Sequence, residues 1–208
     1  VGIYSCGPTV YWNQHIGHMY AYVQWDTMIR FLKYLGYKVK WVMNITDVGH
    51  MTSDEDSGED KIEKTAKTKG QTVVEIVEFY TASFLADIQK LNIKTDQTEF
   101  PRASAHIAEQ IALIDKLVAK GFAYQIADGV YFDTAKYPAY PDLAKLNLLG
   151  QQEGIRVEVN TGKKNPADFV LWKFTKEGEH RLQDWPSPFG VGFPGWHIEC
   201  SAMSIKYL

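Results

Sequence analysis

The chain of 208 residues carries 22 Lys and Arg against 25 Asp and Glu, a net charge of −3, with 45% hydrophobic and 13% aromatic residues. That balance suits a soluble chain with one large core or two small ones, and argues against a broad electrostatic grip on nucleic acid, which needs concentrated positive charge. The longest apolar run, 39–45, is broken by Lys40 and Asn44 and falls far short of the roughly 20 residues of a membrane span, so no membrane partner is expected.

The first residues, Val1-Gly2-Ile3-Tyr4-Ser5-Cys6, have no basic leader and no initiator Met, which reads as a chain cut at both ends. Only Cys6 and Cys200 are present, so there is no disulfide framework; both are expected to be cytoplasmic thiols or metal ligands. Residues 2–6 predict a short strand, Gly7-Pro8 punctuates, and one helix is expected over 18–35, with Gly36 placed to end it. Along it Ala21, Trp25, Met28, Leu32 and Leu35 recur at steps of three and four, which predicts that this stripe faces a sheet. Residues 39–45 then supply a second strand, parallel to the first in a βαβ unit.

Residues 49–58, with Asp54, Glu55 and Asp56 in a row, predict an exposed acidic loop. Two helices follow, separated at Gly70: Thr72 and Glu75 form a capping-box pair, and Val73, Val77, Tyr80, Phe84, Ile88 and Leu91 hold one stripe. Lys61, Lys64 and Lys67 read as a solvated face mixed with Glu59 and Glu63. Past Pro101 the character changes to a helix over 102–120 and short strand-like runs at 129–132, 156–159 and 169–173, a small mixed insertion rather than further βαβ units.

The sharpest local signal is His15-Ile16-Gly17-His18, where a loop after the first strand enters the first helix. Two imidazoles three apart share one side of a helix, and at its N-terminus they would add donors to a bound polyphosphate. Gly17 there removes a side chain that would block an adenine ring. The tetrapeptide alone also fits a metal site or chance, and each cysteine alone fits a small buried hydrophobe.

Taken together, four blocks resemble, in order, those of the cysteinyl-tRNA synthetase family. They are Cys6-Gly7-Pro8-Thr9-Val10-Tyr11, His15-Ile16-Gly17-His18, Asn44-Ile45-Thr46-Asp47, and the run from Pro194-Gly195-Trp196-His197 to Met203. Arg102 with His106-Ile107, and Asp168 to Lys173, are similar to that family's segments as well. The resemblance implies an α/β class I synthetase fold: a Rossmann-like parallel sheet interrupted by a mixed α+β connective insertion. It divides the chain into the first Rossmann half (1–100), the insertion (101–194) and the start of the second half (195–208).

The resemblance also implies a site. Cys6 and Cys200 would bind Zn2+ with a histidine and a glutamate from a segment beyond this chain. Gly7, Thr9, Tyr11, His15, Gly17, His18, Thr46 and Trp196 would bind ATP and the amino acid, with Thr46 lining the amino-acid pocket and Trp196 walling it. His15 and His18 are the implied catalytic pair, stabilising charge on the phosphates of ATP, which is used with Mg2+. The partners would be L-cysteine, ATP and tRNA(Cys), the enzyme a monomer, and this piece inactive alone. A related ATP-dependent cysteine:amino-sugar ligase, or a non-catalytic metal- or RNA-binding remnant, stay open as alternatives. Asp168 and Trp172 read as structural, and His50, His106 and His180 receive no role.

Overall fold

Three parallel strands, β1 (Gly2–Ser5), β2 (Lys40–Met43) and β3 (Thr98–Glu99), form a sheet in that order, with Ile3 opposite Trp41 and Trp41 opposite Thr98. This is a computed structural model, and it describes residues 1–48, 60–143, 145, 162–179 and 181–208. The expected acidic loop, the strand-like run at 156–159, His50 and His180 lie outside the described residues.

The crossover from β1 to β2 is α1 (Ile16–Tyr34), capped at its end by Leu35 with Gly36 at φ 88°. The helix is where the sequence predicts it, but it turns a different face inward. Met19, Tyr22, Asp26 and Ile29 are buried, whereas Trp25, Met28 and Leu35 are exposed. The physical reason is Asp26: its carboxylate accepts the Lys94 N–H at 3.0 Å and pairs with Arg30 at 2.6 Å, so a charged residue occupies the inward face. Apolar spacing alone favours the other stripe.

From β2 to β3 the chain passes through α2 (Lys61–Lys69) and α3 (Val73–Lys90), broken at Gly70 in the left-handed conformation, φ 62°. The Thr72–Glu75 capping box forms, and Val77, Tyr80, Phe84 and Ile88 pack against Tyr22, Trp41 and Met43. Lys64 and Lys67 are exposed, as the expected solvated face requires, and Lys61 is half-buried, but Glu63 turns inward. Asp60 caps α2, and both Asp60 and Glu63 are buried against Arg181, whose guanidinium lies 3.1 Å from Asp60 and 3.8 Å from the Phe193 ring centroid. Glu63 also accepts the Leu182 N–H at 2.9 Å.

The helix expected over 102–120 is α4 (Ile107–Ala119), preceded by a 3-10 turn at Ser104–His106. It starts late because Pro101 and Ala103 are still tied to the sheet: Ile45 donates to Pro101 at 2.8 Å and Ala103 donates back to Ile45 at 3.0 Å. An antiparallel sheet follows, β4 (Ala123–Ile126), β5 (Gly129–Phe132), β6 (Phe169–Phe174) and β7 (Gly192–Pro194), of which the sequence predicts β5 and β6. Asp168 at its edge is structural, as expected, and accepts from the Thr134 N–H and hydroxyl and from Tyr124. Finally α5 (Ile198–Tyr207) returns to the first sheet, where Met203 packs with Val48, Ala103 and Tyr4. His106 bridges this contact, hydrogen-bonded to Arg102 O at 2.7 Å and the Tyr207 hydroxyl at 3.0 Å, which gives it a structural role.

Candidate active site at the strand ends

Beyond the last residues of β1 and β2 the ladder opens and then resumes. Thr9 bridges Thr46 in parallel, with Val10 donating to Thr46 O at 3.1 Å and Thr46 donating to Pro8 O at 2.9 Å. Between those bridges and the strands sit Gly7 and Asn44, and there the backbone pairing is replaced by a side chain: Gly7 N–H donates to Asn44 Oδ1 at 3.0 Å. Only glycine fits at position 7, because a Cβ would stand 1.7 Å from the Asn44 carbonyl oxygen. Parallel sheets of this type offer their ligand sites at such carboxyl ends.

Cys6 follows β1 and Cys200 lies in the first turns of α5, so the two cysteines meet although 194 positions separate them. Their sulfurs are 3.7 Å apart, far beyond the roughly 2.05 Å of a disulfide. Two thiolates on one tetrahedral zinc, each about 2.3 Å from it, stand about 3.8 Å apart, so the pair fits one edge of such an ion. Among the described residues no group of three or more His, Cys, Asp or Glu is arranged to hold a metal ion. The described residues therefore offer the pair as two ligands.

The surroundings polarise the thiols. The hydrogen bond from Cys200 holds the Cys6 thiol down to about 7, outweighing burial, which raises it. Cys200 is pushed up by holding that proton, by burial and by the charge of buried Glu199. Burial also raises the Tyr4 phenol, as does the adjacent Cys200. Tyr22, one turn after His18 on α1, is raised by burial and by the charge of Cys6.

At the start of α1, His15 is the N-cap, its Nδ1 accepting the Gly17 N–H at 3.1 Å. This fixes the neutral tautomer with the proton on Nε2. The His15 and His18 rings stack, with centroids 3.6 Å apart at 23°, and both side chains are exposed. Burial and the neighbouring His15 hold His18 below the usual imidazole range. A Cβ at Gly17 would come within 3.0 Å of the His15 ring, so the glycine serves the histidine cap directly.

The other predicted residues are placed as follows. Thr46 is buried and accepts from Asn44 Nδ2 at 2.8 Å. Tyr11 is half-buried, with Lys61 5.7 Å from its ring centroid. Trp196 is 48% exposed just ahead of α5 and stacks on His197, whose φ of 80° is left-handed. Cys6 meets Cys200, Thr9 bridges Thr46, and Asn44 touches Cys200, Gly7 and Thr46 together, whereas the histidine pair stands at the start of α1. Asn44 and Glu199 stand within the motif blocks but receive no role from the sequence, and Tyr4 and Tyr22 lie outside those blocks. The signal for Asn44 was present: an amide inside an apolar strand run must find partners when buried.

The description "tRNA synthetases class I (C) catalytic domain" belongs to a family model that matches residues 1–208. The chain belongs to this class I synthetase family. Its curated relatives include proteins named cysteine–tRNA ligase from Chlorobium luteolum, 50% identical, and Treponema denticola, 49% identical, each aligned over 100% of this chain. The alignments cover 43% and 42% of those proteins, so this synthetase domain spans less than half of their length. Among solved structures, Mycobacterium tuberculosis methionyl-tRNA synthetase in complex with methionyl-adenylate superposes with a TM-score of 0.65 at 15% identity, over 99% of this chain and 46% of that one. At that identity the likeness shows the fold alone: Rossmann-like and of class I. No helix among the described residues is long and apolar enough to cross a membrane.

Proposed function

We propose that this chain is the cysteine- and ATP-binding part of a cysteine–tRNA ligase, which activates L-cysteine as cysteinyl-adenylate and passes it to tRNA(Cys). The observation that carries this reading is the pair of sulfurs from opposite ends of the sequence, 3.7 Å apart at the carboxyl ends of a parallel sheet. The names of the relatives at about half identity point the same way.

Cys6 and Cys200 would hold Zn2+, with further ligands from outside this chain. The ion would supply a soft Lewis acid that prefers the thiolate of cysteine to the hydroxyl of serine, which gives selectivity without an editing site. Thr46 and Trp196 line the amino-acid pocket, with Gly7, Thr9 and Tyr11 on the strand extension beside it. His15 Nε2–H and His18 form a donor pair at the N-terminus of α1, where the helix field also favours the triphosphate of ATP bound with Mg2+. Their role is to stabilise charge as the cysteine carboxylate displaces pyrophosphate. A carboxylate is nucleophilic at neutral pH, so positioning and charge stabilisation suffice without a general base. The division at 101 and 194 into a nucleotide-binding fold and its insertion belongs to this reading, as do a monomeric state and a cytoplasmic location.

The test is cysteine-dependent ATP–pyrophosphate exchange by the full-length protein containing this chain. Exchange should require cysteine, be unsupported by serine, and fall by about 10²-fold or more in Cys6→Ser, the scale of losing one well-placed electrostatic contact. Equal exchange with serine, or full activity in both Cys6→Ser and Cys200→Ser, refutes the reading.

A further inference from the structure

We infer that Asn44 is a positioning residue that commits the Thr46 hydroxyl to donating its proton to the bound amino acid. The inference rests on the reading that Thr46 lines the amino-acid pocket. Asn44 is fully buried, and its two amide atoms face groups of different character. The Gly7 backbone N–H, 3.0 Å away, can only donate, so the atom facing it must be Oδ1. The amide orientation is thereby decided by the backbone, and Nδ2 must be the atom 2.8 Å from Thr46 Oγ1.

An amide nitrogen only donates, so Thr46 Oγ1 accepts there, and its own proton is left for another partner. Among the described residues Thr46 Oγ1 makes no other hydrogen bond, and with 4% of its surface exposed it has little access to bulk water. A buried hydroxyl proton without an acceptor is costly, and the group that removes that cost is an acceptor atom on a ligand. Cys200 Sγ lies 3.6 Å from the same Asn44 Oδ1, so the amide that orients Thr46 also touches the sulfur pair. The acceptor is an anionic atom of the amino acid, its thiolate sulfur or a carboxylate oxygen. The glycine at 7 is part of the device, because a Cβ would strike the Asn44 carbonyl and push the N–H that orients the amide away.

The near-isosteric Asn44→Asp tests this. One carboxylate oxygen still accepts from Gly7, while the other now accepts from the Thr46 hydroxyl and withdraws its proton from the substrate. In the full-length enzyme, exchange kinetics should show KM for cysteine raised about ten- to a hundredfold, the range for a hydrogen bond to a charged group, with kcat little changed. Thr46→Val should do the same and Thr46→Ser should not. In the double variant, Asn44→Asp should add less than about threefold to the effect of Thr46→Val, since both remove one interaction. Cysteamine, a thiol without a carboxylate, should inhibit Thr46→Val less well than wild type if the acceptor is sulfur, and equally well if it is the carboxylate.

Multiplicative effects in the double variant overturn the inference, because Asn44 would then act through charge on the sulfurs or through the fold. A normal KM in Thr46→Val overturns it as well. Should the aspartate variant fail to fold, Asn44→Ser, which removes the Nδ2 donor without adding charge, enters the same cycle. Wild-type enzyme without cysteine-dependent exchange sinks the functional reading itself, a result distinct from additive variants of an active enzyme.

Discussion

Replacing Gly7 with Ala perturbs the site at its tightest point. The added Cβ would lie 1.7 Å from the Asn44 backbone oxygen and 2.9 Å from its carbonyl carbon. Because the obstruction is backbone rather than a flexible side chain, the strand ends must separate by more than about 1 Å before an ordinary contact is restored. That separation stretches the 3.0 Å bond from Gly7 to Asn44 Oδ1 beyond hydrogen-bonding range. Overpacking of this kind costs about 1–3 kcal/mol and the lost bond about 1 kcal/mol, giving about 2–4 kcal/mol in total. Urea denaturation should show this as a lower midpoint with an unchanged slope. Gly17→Ala is the control, since its Cβ meets only the His15 ring, at 3.0 Å, and a side chain can yield. A Gly7→Ala protein within about 0.5 kcal/mol of wild type would refute the account of why the ladder opens at Asn44.

Cobalt(II), bound by the full-length protein as a visible stand-in for zinc, should show thiolate-to-metal absorption that weakens in both Cys6→Ser and Cys200→Ser; unchanged spectra in both would separate the sulfurs from the metal. ATP should bind more tightly as pH falls from 8 to 6. His18 is held below the usual imidazole range in the free protein, and a bound triphosphate raises it, so binding takes up a proton; the gain is about tenfold per pH unit at most and should vanish in His18→Asn. His15→Asn keeps an N-cap acceptor and should leave the unfolding midpoint close to wild type while weakening ATP binding; loss of stability instead would assign the imidazole a structural role. Arg181→Met strands the buried carboxylates of Asp60 and Glu63 and should destabilise the fold by about 3–5 kcal/mol in chemical denaturation, whereas a loss under about 1 kcal/mol would show the cluster is solvated.

Local structure is legible in the residue order wherever the signal is short-range. The break at Gly70, the capping box of Thr72 and Glu75, the extent of α1 and the helix-entry position of His15 to His18 follow from residues within one or two turns of each other. The ordered motif blocks likewise carried the family. Tertiary structure decided what depends on distant partners. The face that α1 buries was set by Asp26 finding the Lys94 N–H, 68 positions away, and Glu63 went inward because Arg181 waits 118 positions later. The meeting of Cys6 with Cys200 is implied by the family resemblance, but its 3.7 Å separation is a property of how α5 returns to the first sheet. The Asn44 relay is of the same kind: an amide's partners are chosen by the packing of β1, β2 and α5, and a linear pattern of residue types does not record which donor and which acceptor arrive at its two ends.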